Sequence, residues 1–225
     1  MLMPTEETIN LHAQLADEIE RLKKELSKFS ILAWERRLIA AAGGNLSVRV
    51  PATDLILITG TGVALLDVTP EAILTVNLGG EVVDAPNGHR PSKEQDMHLA
   101  AYNLRPNVGA VVHVHPPHAT AFAAKNQPLP LVTDGAAMRL KVVPCIGYAP
   151  SGSPKLHQFA QRGIQEYPDA SAFLLKNHGL IALGANLKEA FYIADLVEDT
   201  AKIALLTRLV DGREFPLVPV KPDPD

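Results

Sequence analysis

Apolar residues fall at Leu11, Leu15, Ile19, Leu22 and Leu26, four and three apart, the stripe of an amphipathic helix. Thr5 followed by Glu6 and Glu7 supplies a cap and first-turn acids, so this helix is predicted to start there. A second apolar stretch, Phe29 to Ala42, runs into Gly43-Gly44, where a helix should stop. The period then changes to two. Leu46, Val48 and Val50 alternate with Ser47 and Arg49, Pro51 breaks the run, and Leu55 to Ile58 reads as a buried strand. Leu74 to Asp84 reads as a hairpin pivoting on the two residues Gly79-Gly80.

Ser92-Lys93-Glu94-Gln95 has the form of a capping box, which predicts a helix from Lys93 that ends before Pro106. Ala110 to His115 is a strand stopped by Pro116-Pro117, and Leu140 to Pro144 reads as another. Ser153 caps a helix with Pro154 at its first position and a stripe of Leu156, Phe159, Ala160 and Ile164. Ala172 to Lys176 and Leu180 to Leu183 are strands around Asn177-His178-Gly179, and Asn186 to Glu189 opens a long helix to about Leu209. Helices and hairpin-linked strands without a dividing linker predict one α/β domain over 1–225 with a largely antiparallel sheet, ending in a proline-rich tail from about residue 212.

Composition narrows the function classes. Of 225 residues, 47% are apolar and 20% charged, which supports a buried core. With 21 Lys+Arg against 25 Asp+Glu the net charge is −4, opposite to what binding a phosphate backbone asks, so nucleic acid is not an expected partner. Cys145 is the only cysteine and cannot form an internal disulfide. No apolar run reaches the length of a membrane span, and the amino end lacks a signal peptide's basic start, so a cytoplasmic protein is expected.

Two residues apart on a strand, His113 and His115 share a face, a spacing that suits chelation. His178 sits on a tight turn between strands. Three histidines with an open position form a catalytic zinc arrangement, although the same pair also fits one solvated face of a sheet. Glu94, near a helix start, reads either as a complement to the helix dipole or as a general acid/base. Gly43-Gly44-Asn45 and Thr59-Gly60-Thr61-Gly62 are glycine-rich turns able to present N–H groups to an anion. Ser92 could bind phosphate or cap its helix, and Lys93 adds a positive charge there. His118 reads as a helix-start or surface residue, and His12, His89, His98 and His157 show no pattern.

In order along the chain, Gly44-Asn45-Leu46-Ser47, Ile58-Thr59-Gly60-Thr61-Gly62, Pro91-Ser92-Lys93-Glu94, Val111-Val112-His113-Val114-His115 and Asn177-His178-Gly179 resemble the motifs of the class II aldolase/adducin family, over about Glu35 to Leu206. The resemblance implies a three-layer α/β/α fold around an antiparallel sheet, a homotetramer with active sites between subunits, and His113, His115 and His178 as ligands of a divalent metal. Zinc suits three histidines best, with manganese or cobalt as alternatives. It further implies Glu94 as the acid/base, and Asn45, Thr61, Gly62 and Ser92 as the pocket for a substrate phosphate.

Two positions depart from the fuculose-phosphate aldolases of that family: Lys93 replaces a second serine, and Asp134 stands where an ungapped count places a proton-donating tyrosine. A divalent ion can stabilise an enediolate produced either by retro-aldol cleavage or by loss of CO₂. Retro-aldol cleavage also needs a group to take the hydroxyl proton, so a missing tyrosine leans towards decarboxylation. Met138-Arg139 and Tyr148-Ala149-Pro150-Ser151-Gly152-Ser153-Pro154 are similar to the family's 3-oxo-tetronate 4-phosphate decarboxylases. The expected function is a metal-dependent carbon–carbon lyase on a small phosphorylated sugar or sugar acid, favoured as a decarboxylase. Alternatives are a sugar-phosphate aldolase, dehydratase or 4-epimerase chemistry on the same metal, and a non-catalytic adducin-like binding module.

Overall fold

The computed structural model describes residues 6–211; Thr5 and the proline-rich tail lie outside them. Glu6–Glu35 form one continuous 30-residue helix, α1. It ends earlier than the glycine pair predicted, because Arg37 takes a left-handed φ of 57°. Arg37 N–H then returns to the Trp34 carbonyl and Leu38 N–H to that of Ala33, each at 2.9 Å, and Leu38 is buried beneath the turn. Gly43-Gly44 are thereby released from helix capping.

The chain continues through β1 (Asn45–Arg49), β2 (Leu55–Thr59), β3 (Ile73–Asn77), β4 (Val82–Asp84), α2 (Gln95–Leu104), β5 (Ala110–Val114) and α3 (Pro117–Ala124). After these come α4 (Asp134–Leu140), β6 (Cys145–Ile146), α5 (Pro154–Glu166), β7 (Ala172–Leu175), β8 (Gly179–Gly184) and α6 (Leu187–Asp211). Three local expectations are corrected. The β3–β4 turn is longer than two residues and is organised by Asn77, whose side-chain oxygen accepts from Gly79 N and Glu81 N, both at 3.0 Å. The predicted strand Leu140–Pro144 is absent: Thr133 caps helix α4, which consumes Leu140, and pairing begins only at Cys145. The helix expected from Lys93 starts at Gln95, for a reason given with the site below.

One eight-stranded sheet runs in the order β4-β3-β2-β1-β5-β8-β7-β6, antiparallel except for β6 beside β7. Alternation along the strands sends Leu46, Val48, Leu57, Val112, Val114, Leu174 and Leu180 into a core shared with α1, α3 and α6. Ile56, Ile58, Val111, Phe173, Ile181 and Leu183 face the opposite core with α2 and α5. These two cores make the three-layer α/β/α arrangement that the motifs implied.

Polar residues break the second core at one place. Asn45 lies directly opposite His113 in the β1–β5 pairing, and Asn45, Ser47 and His113 are all buried on the α2 side. Beyond β5 the chain enters α3 through Pro116-Pro117, and Glu198 of α6 supplies the missing cap. Its carboxylate accepts from His118 N (3.2 Å) and Ala119 N (2.9 Å) and bonds His118 Nδ1 at 2.6 Å. Glu198→Ala should lower unfolding free energy by about 1–2 kcal/mol, the usual worth of a helix cap, read as a lowered midpoint in urea with an unchanged slope.

Candidate metal centre and active site

His113 is fully buried, and its Nδ1 lies 2.9 Å from the Leu180 carbonyl, to which it donates, so that Nε2 is the nitrogen turned towards the cluster. That Nε2 meets His115 Nε2 at 3.0 Å and Glu94 Oε2 at 3.1 Å, while His178 Nε2 lies 3.2 Å from Glu94 Oε1. Each pair of the three rings has its centroids 4.9 Å apart, and their ligand nitrogens fall within 4.8 Å of one another. Strand β5 ends at Val114, yet His115 still joins the cluster.

Close approaches at three glycines, two to the His115 ring and one to the His113 carbonyl, accompany this convergence. A Cβ on Gly43 would lie 3.0 Å from His115 Nδ1; one on Gly44, at φ 74°, would lie 2.9 Å from the His113 carbonyl. A Cβ on Gly179 would sit 2.5 Å from the Val114 carbonyl and 2.6 Å from His115 Cδ2. The glycine pair that resembles a helix stop in sequence therefore makes room for a histidine ring.

Donor chemistry fits a cation. Electron pairs on imidazole nitrogens and a carboxylate repel one another at these distances unless a proton or metal ion lies between them, and the convergent donors outnumber what one proton can satisfy. Burial, followed by the charge of His113, pushes His115 down to about 3 and His178 to about 4, keeping both rings in the neutral form that binds metal. Among the described residues the candidate ligand set is these three nitrogens, and three nitrogen ligands with a further position open to substrate suit a catalytic site better than a closed structural zinc site.

Burial acts to raise the pKa of Glu94, but the charge and hydrogen bond of His113, then hydrogen bonds from Ser151 and Asn45, outweigh it and hold the carboxyl well below its usual range. Ser151 donates to Oε1 at 2.7 Å and Asn45 Nδ2 to Oε2 at 3.0 Å. Glu94 occupies the cap position of α2, and Ser92 Oγ accepts from Glu94 N at 3.2 Å, two residues on rather than three. Gln95 donates instead to the Gly80 carbonyl, so the expected capping box does not form and the helix begins two residues late. This places the Glu94 carboxylate in the histidine cluster.

The remaining predicted residues gather at the neighbouring edge. Gly60 bridges Pro91 and Thr61 N donates to the Arg90 carbonyl at 2.8 Å, which sets Thr61-Gly62 beside Ser92-Lys93. Gly62 adopts φ 77° and faces open space, Ser92 is buried, and Lys93 is exposed. Gly152, at φ 69°, packs against Lys93 and brings Ser151 onto Glu94. Asp134 lies exposed at the start of α4.

Sequence reasoning assigned no role to His98, Ser47 or Tyr102. His98 is fully buried, with Nε2 2.5 Å from Asn45 Oδ1 and Nδ1 2.7 Å from Ser47 Oγ, which in turn lies 2.7 Å from the Tyr102 hydroxyl. Burial, then the charge of His113, pushes His98 down to about 3, so its ring carries one N–H and one lone pair. The spacing of these residues, four apart on α2 and two apart on β1, was the signal available in the sequence.

A three-layer fold with an imidazole triad and a carboxylate at one end of its sheet defines a class of metal-dependent enzyme, and comparison with known proteins narrows it. Residues 24–205 match the family model described as Class II Aldolase and Adducin N-terminal domain. An L-fuculose phosphate aldolase of Methanococcus maripaludis is 34% identical over 80% of this chain and 93% of its own. A 5-deoxy-D-ribulose 1-phosphate aldolase of Bacillus thuringiensis is 34% identical over 84% of this chain and 88% of its own. Among solved structures, an L-fuculose 1-phosphate aldolase superposes with TM-score 0.77 at 33% identity, covering 89% of this chain and 90% of that one. Escherichia coli YgbL, described as a candidate aldolase/epimerase/decarboxylase, gives 0.76 at 27%, covering 91% and 95%. The chain belongs to the class II aldolase/adducin family, and the lyase class expected from its motifs agrees with these relatives. No helix among the described residues is long and apolar enough to cross a membrane.

Elemental analysis of protein purified without chelator should find roughly one divalent ion per chain, with histidine nitrogens at about 2.0–2.1 Å by X-ray absorption if it is zinc. Gly179→Ala, whose methyl overlaps the Val114 carbonyl and the His115 ring, should reduce that occupancy as His115→Ala does, while far-UV circular dichroism stays unchanged.

Proposed function

We propose that this protein is a metal-dependent carbon–carbon lyase acting on a small phosphorylated sugar or sugar acid. The observation that carries the reading is the convergence of His113, His115 and His178 on the buried carboxylate of Glu94. His113, His115 and His178 would hold the ion, with zinc preferred by nitrogen ligation and manganese or cobalt able to replace it. When bound, the metal supplies electrophilic stabilisation of the negative charge left on substrate oxygen as a carbon–carbon bond breaks.

Glu94 would move the proton at the reacting carbon. Of its partners, His113 and His178 are the ones a metal would claim, which leaves the neutral donors Asn45 and Ser151 on the carboxylate. Thr61, Gly62 and Ser92, with the second N–H of Asn45, would bind the phosphate, and Lys93 would hold a further anionic group. A homo-oligomer, expected to be a tetramer, is part of the reading; exposed apolar side chains such as Met138, Tyr148 and Tyr192 give such an assembly surface to bury.

Two fates of the substrate are compatible with this machinery. Loss of CO₂ from a phosphorylated 3-oxo sugar acid is favoured by this chain's own residues, since an ionised Asp134 cannot give the proton that a phenol gives and Lys93 suits a doubly anionic substrate. Retro-aldol cleavage is the second reading, supported by the relatives named as sugar-phosphate aldolases.

Both activities can be measured on one metal-loaded preparation, with CO₂ release from the oxo acid expected to outpace cleavage of L-fuculose 1-phosphate. Efficient cleavage of the ketose phosphate without CO₂ release would hand the assignment to the aldolase. On whichever substrate turns over, Glu94→Gln should retain metal and lose roughly 10²- to 10⁴-fold in rate; near-normal turnover would return Glu94 to a helix-cap role.

A further inference from the structure

Four residues of helix advance about 6 Å, and two residues of strand advance about 6.6 Å. Glu94 at the cap of α2 and His98 and Tyr102 within it stand four apart, and Asn45, Ser47 and Arg49 stand two apart along β1, so the two rows stay in step where the helix crosses the strand. Every rung is made. Asn45 meets Glu94 and His98, Ser47 meets His98 and Tyr102, and Arg49 stacks over the Tyr102 ring at 5.1 Å and donates to the Tyr102 carbonyl at 2.8 Å.

Proton positions along this ladder follow from its active-site end. Asn45 turns its Nδ2 to Glu94 Oε2 at 3.0 Å and its Oδ1 to His98 Nε2 at 2.5 Å, and an amide oxygen only accepts. His98 Nε2 must then carry the hydrogen. Its Nδ1, left with a lone pair, accepts from Ser47, whose oxygen accepts from Tyr102. A flipped Asn45 amide would set its carbonyl oxygen against the carboxylate, and the Nε2–H of His98 forbids that flip, since it would leave two donors facing each other. Glu94, Asn45, His98, Ser47 and Tyr102 are all buried, so water cannot repair a mismatch.

We infer that His98 is a positioning residue for Glu94: through Asn45 it fixes which end of the amide faces the carboxylate and so holds Glu94 in a single orientation over the metal site. The inference deepens the proposed function and rests on its assignment of proton transfer to Glu94. Of the two hydrogen bonds that His98 makes, the one to Asn45 is the link that leads to Glu94.

His98→Phe keeps a flat ring of similar size and removes both nitrogens, whereas His98→Gln restores an N–H donor near the place of Nε2. In zinc-loaded protein, His98→Phe should keep its ion and its circular dichroism while kcat falls about 10- to 100-fold, the usual cost of losing a supporting hydrogen bond at a metal site. KM should stay nearly unchanged, and His98→Gln should recover most of kcat. Parent-like turnover in His98→Phe, or no recovery in His98→Gln, would overturn the inference. Long-range ¹H–¹⁵N spectra of the parent supply a readout independent of catalysis and of either variant's folding: His98 should be the Nε2–H tautomer, and an Nδ1–H tautomer would sink the inference by itself. Should Glu94→Gln prove fully active while the tautomer is as stated, the proton-transfer assignment fails and the hydrogen-bond ladder stands.

Discussion

Everything at this end of the sheet answers to one electrostatic constraint: three imidazole nitrogens and a carboxylate point their electron pairs at a common volume, an arrangement that requires a cation. A protein can hold such a set together only if the backbone does the positioning and each donor is tied from behind. His113 is tied by the Leu180 carbonyl of β8, and Glu94 by Asn45 and Ser151. The fold supplies these ties from three different segments, β1, β8 and the loop before α5, so no local peptide could assemble the site.

Sheet register is the main tool. Pairing Asn45 opposite His113 puts the amide and the imidazole side by side, and a slip of one residue would send both into the apolar core against α1 and α6. Glycine is the second tool. Gly43, Gly44 and Gly179 allow the backbone to close on His115 and on the strand end, where any side chain would meet ring or carbonyl atoms. Late initiation of α2 is the third, since a helix begun at Lys93 would have turned Glu94 into an ordinary first-turn residue.

Much of this was legible in the chain. The period of two around Ser47 and Arg49, the strand that carries His113 and ends one residue before His115, the turn at His178 and the helix capped by Ser153 appear where alternation and capping chemistry put them. The misplaced elements have two causes. The end of α1 and the start of α2 were read from signals that act within four residues and were overruled by tertiary partners, Leu38 buried under the helix end and Glu94 drawn to the histidines, whereas the β3–β4 turn and the Leu140 segment follow local bonds of Asn77 and Thr133 that the pattern of apolar residues does not reveal. His98 was missed because a lone histidine on a helix carries no pattern until the strand beside it is known.

By itself the sequence determined which residues could do chemistry and which strands and helices would carry them, because side-chain type and periodicity are local properties that need no partner. Only the tertiary structure decided that histidines 65 residues apart share one volume with Glu94, that a glycine pair serves a ring rather than a helix end, and that Asn45 presents its amide nitrogen to the carboxylate. Those outcomes depend on strand register, close approach and the direction of buried hydrogen bonds. Each is a relation between segments distant along the chain, and it acquires a value only when the whole core packs.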